Sequence, residues 1–156
     1  MIFTTKEDIE VPREHVFAAV SDFDRFERQA LRRGAEISRL DVQTEPGLGM
    51  MWHIAFRFRG KRREIQIELV EYDPPNRMVF ESRSPNVDGQ MIVDLVALSP
   101  HRTRLRLEIE LRPTTLAARL LVQSMKLAKG NLNKRFKIRV AEYAKATEES
   151  YRSRMA

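Results

Sequence analysis

The sequence has no cysteine, which excludes disulfide bonds and thiolate metal ligation and fits a reducing compartment. Histidine is scarce: His15, His53 and His101 are the only three, and no two share the spacing of a ligand pair. Each is expected to be an ordinary exposed or hydrogen-bonded side chain. Long apolar runs are also missing, the longest being interrupted by Asp94 or Arg119, well short of the ~18 residues that a membrane span needs. From Met1 to Asp8 there is no charged segment leading into an apolar run, so no secretory signal is expected. A soluble, cytoplasmic protein is the expectation. Repeats, low-complexity tracts and linkers are absent as well, which makes residues 1–156 a single domain.

What is present suffices for a core. Hydrophobic residues make up 42% of the 156 residues, an ordinary value for a globular chain of this size. The formal charge is +6, which raises nucleic acid or an anionic membrane as partners. Much of that charge is interleaved with acids, as in Arg104, Arg106, Glu108 and Glu110, and interleaved charge solvates a surface. Two clusters stand out. Arg57, Arg59, Lys61, Arg62 and Arg63 crowd one short stretch and could meet the phosphates of lipid headgroups or RNA. Lys126, Lys129, Lys134 and Lys137 lie further on. Only Phe58 accompanies the first cluster, so base stacking has little support there.

Along the chain, residues 2–11 read as a strand, and Pro12 starts a short helix with Val16, Phe17 and Val20 inward. Ser21 or Asp22 caps a second short helix carrying Phe23, Phe26, Ala30 and Leu31, which stops at Gly34. From Ala35 the apolar period changes to two, giving strands over about 35–44, 50–59, 62–72, 77–83, 90–98 and 103–111. Gly47-Leu48-Gly49 lies after Pro46 with no helix behind it, so it reads as a turn rather than a phosphate loop. Gly60-Lys61 fits a two-residue hairpin loop, which would set Phe56 opposite Ile65, Ile54 opposite Ile67 and Trp52 opposite Leu69. Residues 114–152 read as one helix of about 55–60 Å, with Leu121, Met125, Ala128, Leu132, Phe136 and Tyr143 along one stripe. Six strands joined by short turns form an antiparallel meander. Its apolar face is too large to cover itself, and the long helix is the expected cover.

With the elements in this order, the chain resembles the START-like or SRPBCC superfamily, which includes Bet v 1-like and polyketide cyclase-like proteins. The residues that carry the likeness are Ile9-Glu10-Val11-Pro12-Arg13-Glu14-His15-Val16-Phe17 leading to Ser21-Asp22-Phe23, then Glu71-Tyr72-Asp73-Pro74-Pro75-Asn76-Arg77, then Thr103-Arg104-Leu105. The resemblance implies an α+β helix-grip fold: a curved seven-stranded antiparallel sheet around a long C-terminal helix, with two short helices after the first strand. It also implies a hydrophobic cavity, binding lipids, polyketides or quinone-like molecules in various members. Some members are enzymes, but no catalytic motif spans the superfamily, so no catalytic residue, cofactor or metal is carried over.

The expected ligand site lies between sheet and C-terminal helix. Trp52, Ile54, Phe56, Ile67, Met78, Phe80, Val93, Leu95 and Leu107 face it from the strands, and Met125, Ala128 and Leu132 from the helix. Asp94 is the most informative polar residue nearby. With Met91, Val93 and Leu95 facing inward, Asp94 faces out; with the opposite parity it would be a candidate base in an apolar pocket. Two other functions remain open on sequence alone. One is a cofactor-free cyclase or hydrolase, which would need Asp94 or Tyr72 inside the cavity. The other is a basic adaptor for RNA, ribosome or membrane.

Overall fold

The computed structural model describes residues 1–156. Its strands are β1 (Ile2–Ile9), β2 (Glu36–Arg39), β3 (Met51–Phe58), β4 (Lys61–Asp73), β5 (Arg77–Arg83), β6 (Val87–Ser99) and β7 (Arg102–Pro113). Its helices are α1 (Arg13–Val20), α2 (Phe23–Arg32), α3 (Leu116–Lys126) and α4 (Lys129–Met155). All seven strands form one antiparallel sheet in the order β1-β7-β6-β5-β4-β3-β2. Strands β2 to β7 are the meander that short turns dictate, and β1 closes the far edge against β7. Register irregularities in β4, between Leu69 and Glu71, and in β6, between Ala97 and Ser99, break the regular ladder. Such irregularities bend a sheet and raise its twist. This is the helix-grip α+β architecture that the sequence pattern implied.

The local signals act as their chemistry suggests. Asp22 caps α2 by accepting from the Arg25 amide at 3.3 Å. The helix closes on Gly34, whose φ is 92°. There the Ala35 amide donates to the Ala30 carbonyl at 3.0 Å and the Gly34 amide to Leu31 at 3.1 Å, a pairing that a left-handed residue makes possible. Strand β2 is shorter than its apolar pattern suggested, because Asp41 turns the chain. Its carboxylate accepts from the Gln43 amide at 2.9 Å and the Met51 amide at 2.8 Å.

Two readings of the sequence need correction. The β3–β4 loop is Arg59-Gly60, not Gly60-Lys61. Both loop residues have positive φ, 52° and 75°, the turn whose twist suits a hairpin. Ile54 therefore faces Ile65, and Trp52 faces Ile67. A slip of two residues equals one pleat, so every side chain keeps its face and only its partner changes.

The C-terminal helix is two helices. It breaks at Leu127 and Ala128, where backbone bonds from Leu127 to Ser124 (3.3 Å) and from Ala128 to Met125 (3.0 Å) tighten the last turn. Gly130, Asn131 and Asn133 follow, and all three are weak helix formers. Only α4, about 40 Å long at 1.5 Å per residue, is the long C-terminal helix of the fold.

The core occupies one half of the sheet. Val140 and Ala144 of α4, with Val16 and Phe17 of α1, pack on Ile9, Leu69, Met78, Leu95 and Leu105. Ile9, Leu69, Met78 and Leu105 are fully buried. Phe136 meets Phe3 edge-on with centroids 6.3 Å apart. The other half of the inner face is covered by α2 and, at Val20, the end of α1.

Candidate functional site

Beneath α2 lies a partly enclosed cavity of about 560 Å³. Its roof is Val20, Phe23, Phe26, Glu27 and Ala30. Its floor and walls are Ile37, Trp52, Ile54, Ile65, Ile67, Phe80, Ser82, Gly89, Met91, Val93, Ile109 and Leu111. The floor follows from strand alternation: Phe80, Met91 and Ile109 form one inward row across three strands, and Ser82, Gly89 and Leu111 the next. Glu81, Gln90 and Glu110 lie in the intervening row, so their side chains point to the outer face and they line the space through their backbones.

Small residues keep this space open. At Gly89 even a Cβ would come within 2.5 Å of the Ser82 hydroxyl and 3.3 Å of the Glu110 carbonyl. Ala30 does the same for the roof.

At one end an aromatic cluster meets an ion-pair network. Phe23 packs edge-on against Trp52 and Phe80, with centroids 5.3 and 6.0 Å apart. The Trp52 indole N–H donates to Glu27 Oε1 at 2.7 Å. Arg39 lies over the Trp52 ring at 5.5 Å and reaches Glu27 Oε1 at 3.7 Å. The guanidinium forks onto Asp41. That fork, with the Gln43 and Met51 amides, holds the Asp41 carboxyl well below the usual carboxylate range.

Of the residues expected to form a site, Trp52, Ile54, Ile67, Phe80 and Val93 come together around this cavity. Met78 and Leu95 instead belong to the packed half, filled by α1 and α4, where no space remains. Leu107 packs against that same core, and Phe56 lies beyond the cavity on β3 opposite Arg63. Met125, Ala128 and Leu132 do not line the cavity, because the helix breaks between α3 and α4 in their midst: Ala128 is exposed and the other two are half-buried. The contribution of α2 was missed. Its Phe23, Phe26 and Ala30 stripe was legible, and so was the need of a broad sheet for cover; what was missing was which helix covers which half.

Asp94 faces outward. It accepts from Arg77 Nη1 at 2.8 and 3.0 Å and lies 3.8 Å from Arg106. Tyr72 faces inward but packs on Phe17, centroids 5.7 Å apart, outside the cavity. Burial raises the pKa of Tyr143, which stacks near Phe26 at 6.2 Å. His15 lies 4.8 Å from the Tyr151 ring, and His53 is 3.9 Å from Glu64. In the Gly47–Gly49 turn, the Gly49 amide donates to the Leu69 carbonyl at 3.0 Å.

The basic hairpin tip divides. Arg62 pairs with Glu36 at 3.0 Å and Glu64 at 3.5 Å, and Arg63 lies on the inner face with its Nε buried. Arg57, Arg59 and Lys61 remain exposed. No helix is long and apolar enough to cross a membrane.

A curved sheet gripping a long helix, with an apolar cavity beneath a short one, defines a protein of the helix-grip class. Residues 1–149 match the family described as polyketide cyclase/dehydrase and lipid transport, and the chain belongs to it. Among solved structures, a protein of Thermus thermophilus is 15% identical, with 96% of this chain and 99% of that one covered and a TM-score of 0.65. An aromatase/cyclase of a Streptomyces species is 11% identical over 100% of this chain and 96% of that one, TM-score 0.65. A START superfamily protein of Mycobacterium smegmatis is 10% identical over 86% and 95%, TM-score 0.57. At such identities the likeness shows the fold alone. No curated protein matches the sequence.

Proposed function

We propose that the protein binds a small hydrophobic molecule, of lipid, polyketide or quinone-like character, in the cavity beneath α2. The observation that carries this reading is the cavity itself: about 560 Å³, with apolar side chains in most of its lining. That volume lies in the range of ~300–1,000 Å³ usual for small-molecule sites. Family membership points the same way. The uncharged dye N-phenyl-1-naphthylamine is expected to bind once per chain and quench Trp52, the only tryptophan. Filling the roof with Ala30→Phe is expected to weaken the dye at least ten-fold, whereas Ala128→Phe, on an exposed residue, leaves it unchanged. Absence of binding, or binding indifferent to Ala30→Phe, would count against the cavity as the site.

A second reading is favoured by a separate surface. Between Leu111 and Ala141 the chain carries Arg112, Arg119, Lys126, Lys129, Lys134, Arg135, Lys137 and Arg139 and no acidic residue. Within it Leu116, Leu120 and Leu127 are 73%, 59% and 93% exposed. Cations among exposed leucines suit an anionic lipid surface, where each cation near the surface contributes roughly 1 kcal/mol. Phosphates of a nucleic acid would use the cations and leave the leucines idle. The charge therefore favours α3 and the start of α4 over the hairpin tip, part of which is already paired. Cosedimentation with phosphatidylserine vesicles is expected at low salt, to fall at high salt and to weaken in Leu120→Ser/Leu127→Ser. Equal binding to phosphatidylcholine vesicles, or none to either, would dismiss this reading.

A further inference from the structure

The cavity's electrostatics say more about the ligand than its volume does. Lys and Arg number 28 in this chain, yet no Lys, Arg or His lines the cavity. A carboxylate or phosphate entering it would leave water and meet no cation in the lining, a transfer that apolar surroundings penalise heavily. Among the lining side chains, the only charge that faces the space is Glu27, since Glu81 and Glu110 point to the other face of the sheet.

Glu27 is not neutralised where it stands. Arg39 is the nearest cation at 3.7 Å, but its fork is held by Asp41. Two carboxylates thus share one guanidinium, and the cluster keeps a net negative charge. Oε1 of Glu27 accepts the Trp52 indole N–H at 2.7 Å, while Oε2 accepts no hydrogen bond from the protein. A carboxylate offers acceptors only. On the floor, the Ser82 hydroxyl makes no hydrogen bond within the protein and adjoins Gly89. It can act as donor or acceptor.

We infer that the cavity selects uncharged ligands with a hydroxyl group, alcohols or phenols, which donate to Glu27, and that it rejects the matching carboxylates. This rests on the cavity being the binding site and adds the chemistry of the ligand's polar end. The apolar body lies over Ile54, Ile67, Met91 and Ile109, and Ser82 is available to a second oxygen. An ammonium group would also meet Glu27, but it would lose far more hydration than a hydroxyl on entering the apolar lining.

The test is calorimetry on the full chain at pH 7 with 2-naphthol, 2-naphthoate and naphthalene, which share one ring system. Naphthol is expected to bind at least ten-fold more tightly than naphthoate. Glu27→Gln, which keeps an acceptor for the Trp52 N–H, is expected to narrow that ratio at least three-fold by removing the charge that repels naphthoate and strengthens the bond from naphthol. Naphthoate still bears the cost of its lost hydration, and naphthalene affinity and the unfolding midpoint stay unchanged. Naphthoate binding as well as naphthol, or a ratio unmoved by Glu27→Gln, would overturn the ligand class and leave the cavity reading standing. If none of the three compounds binds, both fall.

Discussion

Trp52→Ala is expected to destabilise the protein by about 3–5 kcal/mol, the usual cost of truncating a large aromatic in a packed site. Trp52 stands where the packed and open halves of the sheet meet. It is 6% exposed, is met edge-on by Phe23 and lies 6.4 Å from Phe80. Truncation extends the existing cavity instead of letting the walls collapse, because Ile54 and Ile67 are held in the sheet. Trp52→Phe separates the two contributions. It keeps a ring against Phe23 and Phe80 but loses the N–H to Glu27, and should cost about 1 kcal/mol plus the smaller loss of buried area. Urea unfolding followed by circular dichroism reads both variants. Equal, small effects would show that Trp52 packs loosely and that the boundary between the halves lies elsewhere.

Leu69→Ala is expected to cost about 2–5 kcal/mol. Leu69 is fully buried, next to the β4 irregularity, among Met78, Leu95, Leu105 and the side chains of α1 and α4. No neighbour there can move in, because each is fixed by a sheet ladder or a helix on the other side. The contrast is Leu127→Ala, at the helix break and 93% exposed, which should change stability by no more than about 0.5 kcal/mol. The same chemical change at two leucines thus measures where the core is. A large loss at Leu127 would mean that α3 and α4 are in truth one packed helix; a small loss at Leu69 would displace the core from this half of the sheet.

Much of this fold was legible in the sequence because one-residue alternation is a local signal. The inward sets Trp52, Ile54 and Phe56 on β3 and Ile65, Ile67 and Leu69 on β4 are those that the pattern marks. Their partners were not, because two hairpin loops one pleat apart satisfy the same alternation. The register expected from a Gly60-Lys61 loop, with Phe56 opposite Ile65, would set Arg57 opposite Glu64, a favourable pair by itself. In the fold Arg57 faces Arg62, and Arg62 finds Glu36 on β2, a strand far away in sequence.

The cavity was less legible for a similar reason. Apolar stripes on α1, α2, α3 and α4 all ask for cover, and sequence does not say which stripe meets which half of the sheet. Phe23, Phe26 and Ala30 were seen as the apolar face of a helix, and Met125, Ala128 and Leu132 were seen the same way. Gly130, Asn131 and Asn133 were the available sign that the second stripe is interrupted.

The division of the sheet into a filled half and an open half has a consequence for how such a protein can change. Side chains in the filled half share neighbours, so substitutions among Leu69, Met78 and Leu105 must be compensated together. Ile37, Ile65 and Ile109 border empty space, and each can change volume with little demand on the others. Sequence drift is therefore least constrained around the cavity. A chain of this architecture can reshape its cavity while the half that holds it together stays as it is.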